Sequence, residues 1–325
     1  MDVLAPAKAF DRYQRRHRWV AFPVAVVKKF GDDQAGNLSA LIAYYAFFSL
    51  FPLILVFVTV LGFVLDGNPG AQHAVVDSAL KQIPIVGDQI RGGSLNGSGV
   101  ALAVGIVGAL LSGLGVTLAV QTAFDRVQAV PHRERPNFLF SRLRGLGLLA
   151  ALGTLQVIST VVSGVVSGGF GGVLLTIAGI AVSLALNLLL FFAAFRLLTD
   201  SSVPTRQLWP GIGTATVLWT VLQGVGGAYI GHVVKGAGPT YGTFATVIGL
   251  LTWLFLGARL VVYSAEVNSV LARGLWPRGL FDPPEPADRE ALRALAKIEE
   301  RNDEETVAVS FDAPGDGKPA EHADR

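Results

Sequence analysis

Six long apolar runs constrain this 325-residue chain more than any other feature. They cover residues 38–65, 100–124, 143–166, 173–198, 208–234 and 244–271, and each is bounded by charge, Gly or Pro. A hydrocarbon core about 30 Å thick is crossed by about 20 helical residues rising about 1.5 Å each, so every run is long enough to span a bilayer. Inside lipid each backbone N–H and C=O must be bonded within the protein, which requires helix; the alternating strands of a barrel are not seen. The expected fold is therefore an all-α integral membrane protein, a bundle of six transmembrane helices with an N-terminal interfacial helix and an outer amphipathic segment.

Charge sets the orientation. Only 15% of residues are charged against 51% hydrophobic, and the cations gather beside particular spans. Lys8, Arg12, Arg15, Arg16, Arg18, Lys28 and Lys29 precede the first run. Arg126, Arg133, Arg135, Arg142 and Arg144 lie between the second and third runs, Arg196 and Arg206 flank the connection after the fourth, and Arg273 and Arg278 follow the sixth. Segments rich in Lys and Arg beside spans stay cytoplasmic. All four fall on one side of a six-span chain, while the other side carries only Lys81, Arg91 and Lys235. Both termini are expected in the cytoplasm.

Three domains follow. Residues 1–30 form a basic cytoplasmic segment whose short apolar stretch, 19–30, is interrupted by Pro23 and closed by Lys28 and Lys29; it reads as an interfacial anchor, not a cleaved signal peptide. Residues 31–275 hold the spans. The outer connection 66–99 carries an amphipathic stretch with Val76, Ala79, Leu80 and Ile83 on one face. Residues 276–325 form a cytoplasmic tail, a short helix with Leu292 and Leu295 after Pro283, Pro284 and Pro286, then a polar stretch expected to be disordered from about Asn302.

The stretch LIAYYAFFSLFP from Leu41 to Pro52, and TYGTFATVIGLLTWLFLGARLVVYSAEVN from Thr240 to Asn268, resemble the two ends of the YihY/BrkB family of six-helix bacterial inner-membrane proteins. A second helix ending QTAFDRV, the pair Arg135 and Pro136, and Trp209 to Trp219 opening the fifth run also fit. This chain has Asp125 where many members carry Asn, and Ser264, Ala265, Glu266 where they carry a small residue, Gly, Ala and Glu. The resemblance implies a link to serum resistance, to export of lipid A precursors or, under an older label, to ribonuclease activity. The 19 Arg against 7 Lys point to a GC-rich bacterium, which leaves the substrate open.

Ionisable residues in spans are expensive, about 2.5–3.5 kcal/mol on insertion scales, and each is a site hypothesis. Arg259 and Glu266 lie seven residues apart on the sixth run, hence on one helix face about 10.5 Å apart. The guanidinium suits a carboxylate or phosphate; the structural alternative is an ion pair with another helix, or Glu266 reaching to the interface. Tyr44, Tyr45 and Ser49 sit in the inner half of the first run, Gln121 and Asp125 at the inner end of the second, Asn187 and Arg196 on the fourth, and Gln223 in the fifth. Together they suggest an inward-open, water-filled cavity, with packing between helices as the alternative for each. Small residues at Thr160, Gly164, Gly168 and Gly172, and at Gly227 and Gly231, read as close helix contacts.

Cysteine is absent, which excludes disulfides, thiolate metal sites and cysteine nucleophiles. The five histidines, His17, His73, His132, His232 and His322, are scattered, and neither a metal-ligand spacing nor a phosphate-binding Gly-rich loop occurs. No cofactor, no metal, no nucleic acid and no enzymatic activity are expected. The expected partners are membrane lipids, an anionic lipid or envelope precursor as substrate, and a second copy in a homo-oligomer. The function expected is transport or flippase-like export of that substrate, with a non-catalytic scaffold or envelope-assembly factor as the alternative.

Overall fold

The computed structural model describes residues 4–64, 99–167, 173–236, 242–281 and 283–311. The side chains over 60–64, 156–167, 173–180 and 226–236 lie outside that description, as do the outer amphipathic segment and the small-residue rows at Thr160, Gly164, Gly168, Gly172, Gly227 and Gly231. Helices and their connections make up the described chain. Two short helices open it, α1 (Ala5–Arg16) and α2 (Arg18–Asp32). Six long ones follow: α3 (Ala35–Val64), α4 (Gly99–Val127), α5 (Phe138–Ser167), α6 (Val173–Leu198), α7 (Thr205–Gly236) and α8 (Gly242–Arg273). The tail carries α9 (Pro286–Lys297).

By length and composition four of the long helices contain segments able to cross a membrane: Ala35–Val56, Leu102–Val127, Phe138–Leu155 and Val247–Arg273. In α6 the apolar stretch among described residues is the shorter Leu184–Leu198. Helix extends past the apolar runs, as at α5, whose first turns include Arg142 and Arg144. Backbone hydrogen bonding, not hydropathy, decides where a helix stops.

Each long helix packs on its neighbour in sequence, and α8 returns to α3, which closes a ring; α4 also reaches across to α6 and α8. Lipid supplies no hydrophobic drive between apolar faces, so contact depends on close approach. Glycines of α4 provide it. A Cβ on Gly108 would lie 3.0 Å from Pro52, and one on Gly115 would lie 2.7 Å from the Tyr45 ring. Between α7 and α8 the Gly211 N–H donates to Asn268 Oδ1 at 2.6 Å.

The four basic segments meet at one end of the ring. Arg126 Nε donates to the Asp33 carbonyl at 3.0 Å, Arg273 Nη2 to the Gln128 carbonyl at 2.6 Å, and Arg144 pairs with Asp200 at 3.9 Å. The packed core lies in this basic half. Phe124, Phe195, Leu198, Leu208, Ile212 and Val262 are fully buried there, with Phe124 and Phe195 4.7 Å apart between ring centroids. Toward the other end the described apolar side chains face outward, among them Val104, Val107, Leu111, Val221, Val225 and Phe244.

The termini clasp this end. Asp11 accepts from the Leu280 N–H at 2.9 Å and pairs with Arg15 at 2.6 Å; Arg15 also pairs with Glu285. Lys28 pairs with Asp288 at 2.8 Å, and Arg278 bridges Asp288 at 2.6 Å and Asp32 at 2.8 Å. Burial alone raises the Asp288 carboxyl, but donors from Lys28, Arg278 and the Gly279 N–H outweigh it and hold the group below its ordinary value. Beyond α9 the chain reaches the α4–α5 connection, where the His132 N–H donates to the Ile298 carbonyl at 3.1 Å and Arg133 pairs with Glu300 at 3.1 Å. Past Asn302 the chain still makes contacts: the Phe311 ring lies 5.4 Å from the Arg289 guanidinium and 5.2 Å from that of Arg293.

Candidate functional site

The stretch read as an interfacial anchor is a helix docked on the protein. One face of α2 packs along α8, with Phe22 against Trp276, and Ala25 and Val26 beside Val270. Trp19, in the first turn, and Val27 are exposed. The last turn of α2 delivers Lys29 and Phe30 to α8. Lys29 Nζ pairs with Asp33, lies 3.3 Å from Glu266 Oε2 and donates to the Val127 carbonyl at 3.0 Å. All three charged side chains are buried, at 5% exposure for Lys29 and 0% for Asp33 and Glu266. Breaking such a group by removing one partner costs about 3–5 kcal/mol.

Arg259 and Glu266 both meet α2, as their seven-residue spacing predicts, but they do not share a partner. The Phe30 ring stacks on Tyr263 at 3.9 Å and 8°. Arg259 sits over this pair, its guanidinium carbon 5.4 Å from the Phe30 ring, 5.8 Å from Tyr263 and 5.5 Å from Phe255. The side chain is half-buried, and among the described residues it has no ion pair. Aromatic faces attract a cation by about 0.5–2 kcal/mol but do not neutralise it. The aromatic cradle therefore holds the Arg259 charge without cancelling it.

The other predicted residues are dispersed. Ser49 is buried and turns its hydroxyl back to the Ala46 carbonyl at 2.7 Å; Gln121 is buried and donates to the Ser141 carbonyl at 2.9 Å, tying α4 to α5. Asp125 is buried near the basic end with Arg135, Arg144 and Asp200 as its charged neighbours. Tyr44 and Tyr45 are exposed and edge-to-face at 5.6 Å, in a row continued by Phe48 and Phe51. Asn187 is half-buried, and Arg196 and Gln223 are exposed. These residues, expected to line an inward-open cavity, are spread over α3, α4, α6 and α7. A cavity of about 360 Å³ opens at the basic end, lined by Gln128, Val130, Glu134, Gln207, Arg273 and Lys297 among others, and none of the ten predicted residues borders it.

Sequence reading gave Lys29 only a topological role and assigned none to Phe30 or Asp33 at the site. Their signal is a Lys and an Asp four residues apart directly before the first span, which fits the need of a carboxylate inside a span for a cation.

The sequence profile of the family described as virulence factor BrkB matches residues 26–287, from α2 through the first turn of α9. The chain belongs to the BrkB family. Among BrkB-like relatives, the inner membrane protein YhjD of Escherichia coli is 24% identical over 274 residues, covering 77% of this chain and 81% of that protein. The putative ribonuclease-like protein YfkH of Bacillus subtilis is 23% identical over 277 residues, covering 78% and 95%. A UPF0761 membrane protein of Acinetobacter baylyi is 23% identical over 263 residues, covering 78% of this chain and 62% of that protein. The chain thus spans less than two thirds of the Acinetobacter relative. No solved structure matches. The BrkB match begins inside α2, so the last turns of that helix, which carry Lys29 and Phe30, lie in the family region.

Proposed function

We propose that this BrkB-family protein spans the inner membrane six times with both termini in the cytoplasm and moves an anionic lipid or envelope precursor across the bilayer. The observation that carries the reading is Arg259, a half-buried guanidinium held among Phe30, Phe255 and Tyr263 without an acidic partner among the described residues. Such a group binds a phosphate or carboxylate headgroup bidentately while the rings accept its acyl part. Orientation follows from the basic segments gathered at one end, which the positive-inside rule assigns to the cytoplasm. No catalytic step enters, and lipids are the partners, in a single copy or a homo-oligomer.

A second reading has its own support. The clasp of α1, α2 and the tail is dense, and Ser49 and Gln121 make only structural bonds, as a scaffold or assembly factor requires. Reconstitution in liposomes carrying labelled anionic or zwitterionic lipids separates the two. Accelerated transbilayer movement of the anionic lipid is expected; movement no faster than in empty liposomes favours the scaffold.

A further inference from the structure

The charges at the α2–α8 seam do not balance. Lys29 brings one positive charge and Asp33 and Glu266 two negative ones, all within a region of zero to 5% exposure. The charged groups facing the seam are few. From α4, Arg126 directs Nε to the Asp33 backbone carbonyl; from α8, Arg273 directs Nη2 to the Gln128 carbonyl. Helix α3 contributes no Asp, Glu, Lys, Arg or His. Neither arginine forms an ion pair with the two carboxylates among the described residues, although Arg273 lies near enough to interact electrostatically with both Glu290 and Asp33.

The oxygens report the same imbalance independently. Glu266 Oε1 and Oε2 and Asp33 Oδ1 are buried without any hydrogen-bond donor, and the 3.3 Å contact of Lys29 with Glu266 is an ion pair lacking hydrogen-bond alignment. Buried acceptors without donors are rare and costly, and each calls for an explanation. A metal cation would need volume and further oxygens, and the Lys29 ammonium already lies against one oxygen of each carboxylate, Asp33 Oδ2 and Glu266 Oε2. A proton needs no volume and turns one acceptor into a donor.

We propose that the Lys29–Asp33–Glu266 triad is a proton-binding site, in which one proton taken from water joins a carboxyl oxygen of Asp33 to one of Glu266 and leaves the seam neutral. Release of the proton returns it to water and leaves two carboxylates facing the single Lys29 ammonium in a dry seam. Lifting α2 from α8 relieves that imbalance by admitting water. The same turn of α2 carries Phe30, which stacks on Tyr263 and lies against Arg259, so proton occupancy and access to Arg259 share one moving part. That coupling rests on the transport reading, whereas the proton site itself does not.

Infrared spectroscopy of the purified full-length protein tests the proton directly. The native protein is expected to show a carboxylic-acid C=O band at neutral pH that is lost in both Glu266→Gln and Asp33→Asn, since either amide supplies the missing donor. Glu266→Gln has the shape of the protonated acid and is expected to fold, with a Tm that stays flat between about pH 6 and about pH 9 while that of the native protein falls as pH rises. Absence of the band in the native protein overturns the proposal without any variant. So does a band that survives both substitutions, or a native Tm that rises with sodium at fixed ionic strength, which assigns the seam to a metal cation. Failure of lipid transport with the band present sinks the transport reading alone.

Discussion

Gly211→Ala is expected to be among the most damaging single-methyl additions in the basic half. A Cβ on Gly211 points into α8, onto the Ser264 carbonyl and 2.6 Å from Asn268 Cγ, whereas 3.4 Å is ordinary contact. The Ser264 carbonyl is nearer still, so helix α7 must retreat by about 1 Å at that point, and overpacking of this kind costs about 1–3 kcal/mol. The retreat also stretches the Gly211 N–H bond to Asn268, 2.6 Å long, and hydrogen bonds between membrane helices are worth about 0.6–1.7 kcal/mol. The sum is about 2–5 kcal/mol. Thermal unfolding in detergent, read from the five tryptophans, measures it against Gly213→Ala, whose Cβ meets nothing within 4 Å. In an Asn268→Ala background the side-chain obstacle is gone, so the Gly211→Ala penalty shrinks by about 1–2 kcal/mol. Equal stability of Gly211→Ala and Gly213→Ala would refute the close α7–α8 approach.

Lys29→Met removes the cation of the buried triad and is expected to cost about 3–5 kcal/mol, seen as loss of membrane-inserted protein, with partial recovery on adding Glu266→Gln; normal accumulation of Lys29→Met contradicts the triad. The clasp depends on Asp288, and on Asp11, where burial is outweighed by donors from Leu280, Arg15 and Gln14. Both carboxyls are held below their ordinary values, so their contribution is present above the unfolded-state value of about 4 and is lost as pH falls below it. Limited proteolysis is expected to cut the tail faster below about pH 4, and an unchanged rate rules the clasp out as its anchor. Single cysteines at positions 133 and 207 are expected to resist impermeant reagents in intact cells, while those at 97 and 236 react; labelling at 207 overturns the orientation.

The helices were readable because lipid demands long uninterrupted apolar runs, and the basic connections named which of them share a side. Arg259 and Glu266 were readable as a pair on one face from their spacing. Their neighbour was not, because a short stretch with Pro23 and Lys28–Lys29 has the composition of a surface anchor, and composition does not say that its last turn buries Lys29 against Glu266. The individual bonds of the polar residues in the inner half were hidden for a related reason. Ser49 and Gln121 bond to nearby carbonyls, and sequence position does not distinguish a hydroxyl or amide turned to backbone from one turned to water. The α4 glycines that let α3 approach, Gly108 and Gly115, were overlooked because their spacing follows no four-residue repeat.

The most direct test of the central claim is transbilayer movement of a labelled anionic lipid in liposomes containing native protein, Arg259→Lys or Arg259→Gln at equal reconstituted amounts. Lys keeps the charge and loses the planar fork, while Gln loses the charge. The account predicts that movement falls to the level of empty liposomes in Arg259→Gln and is retained in part in Arg259→Lys. Native rates in Arg259→Gln would contradict it and leave the aromatic cradle around Arg259 as packing alone.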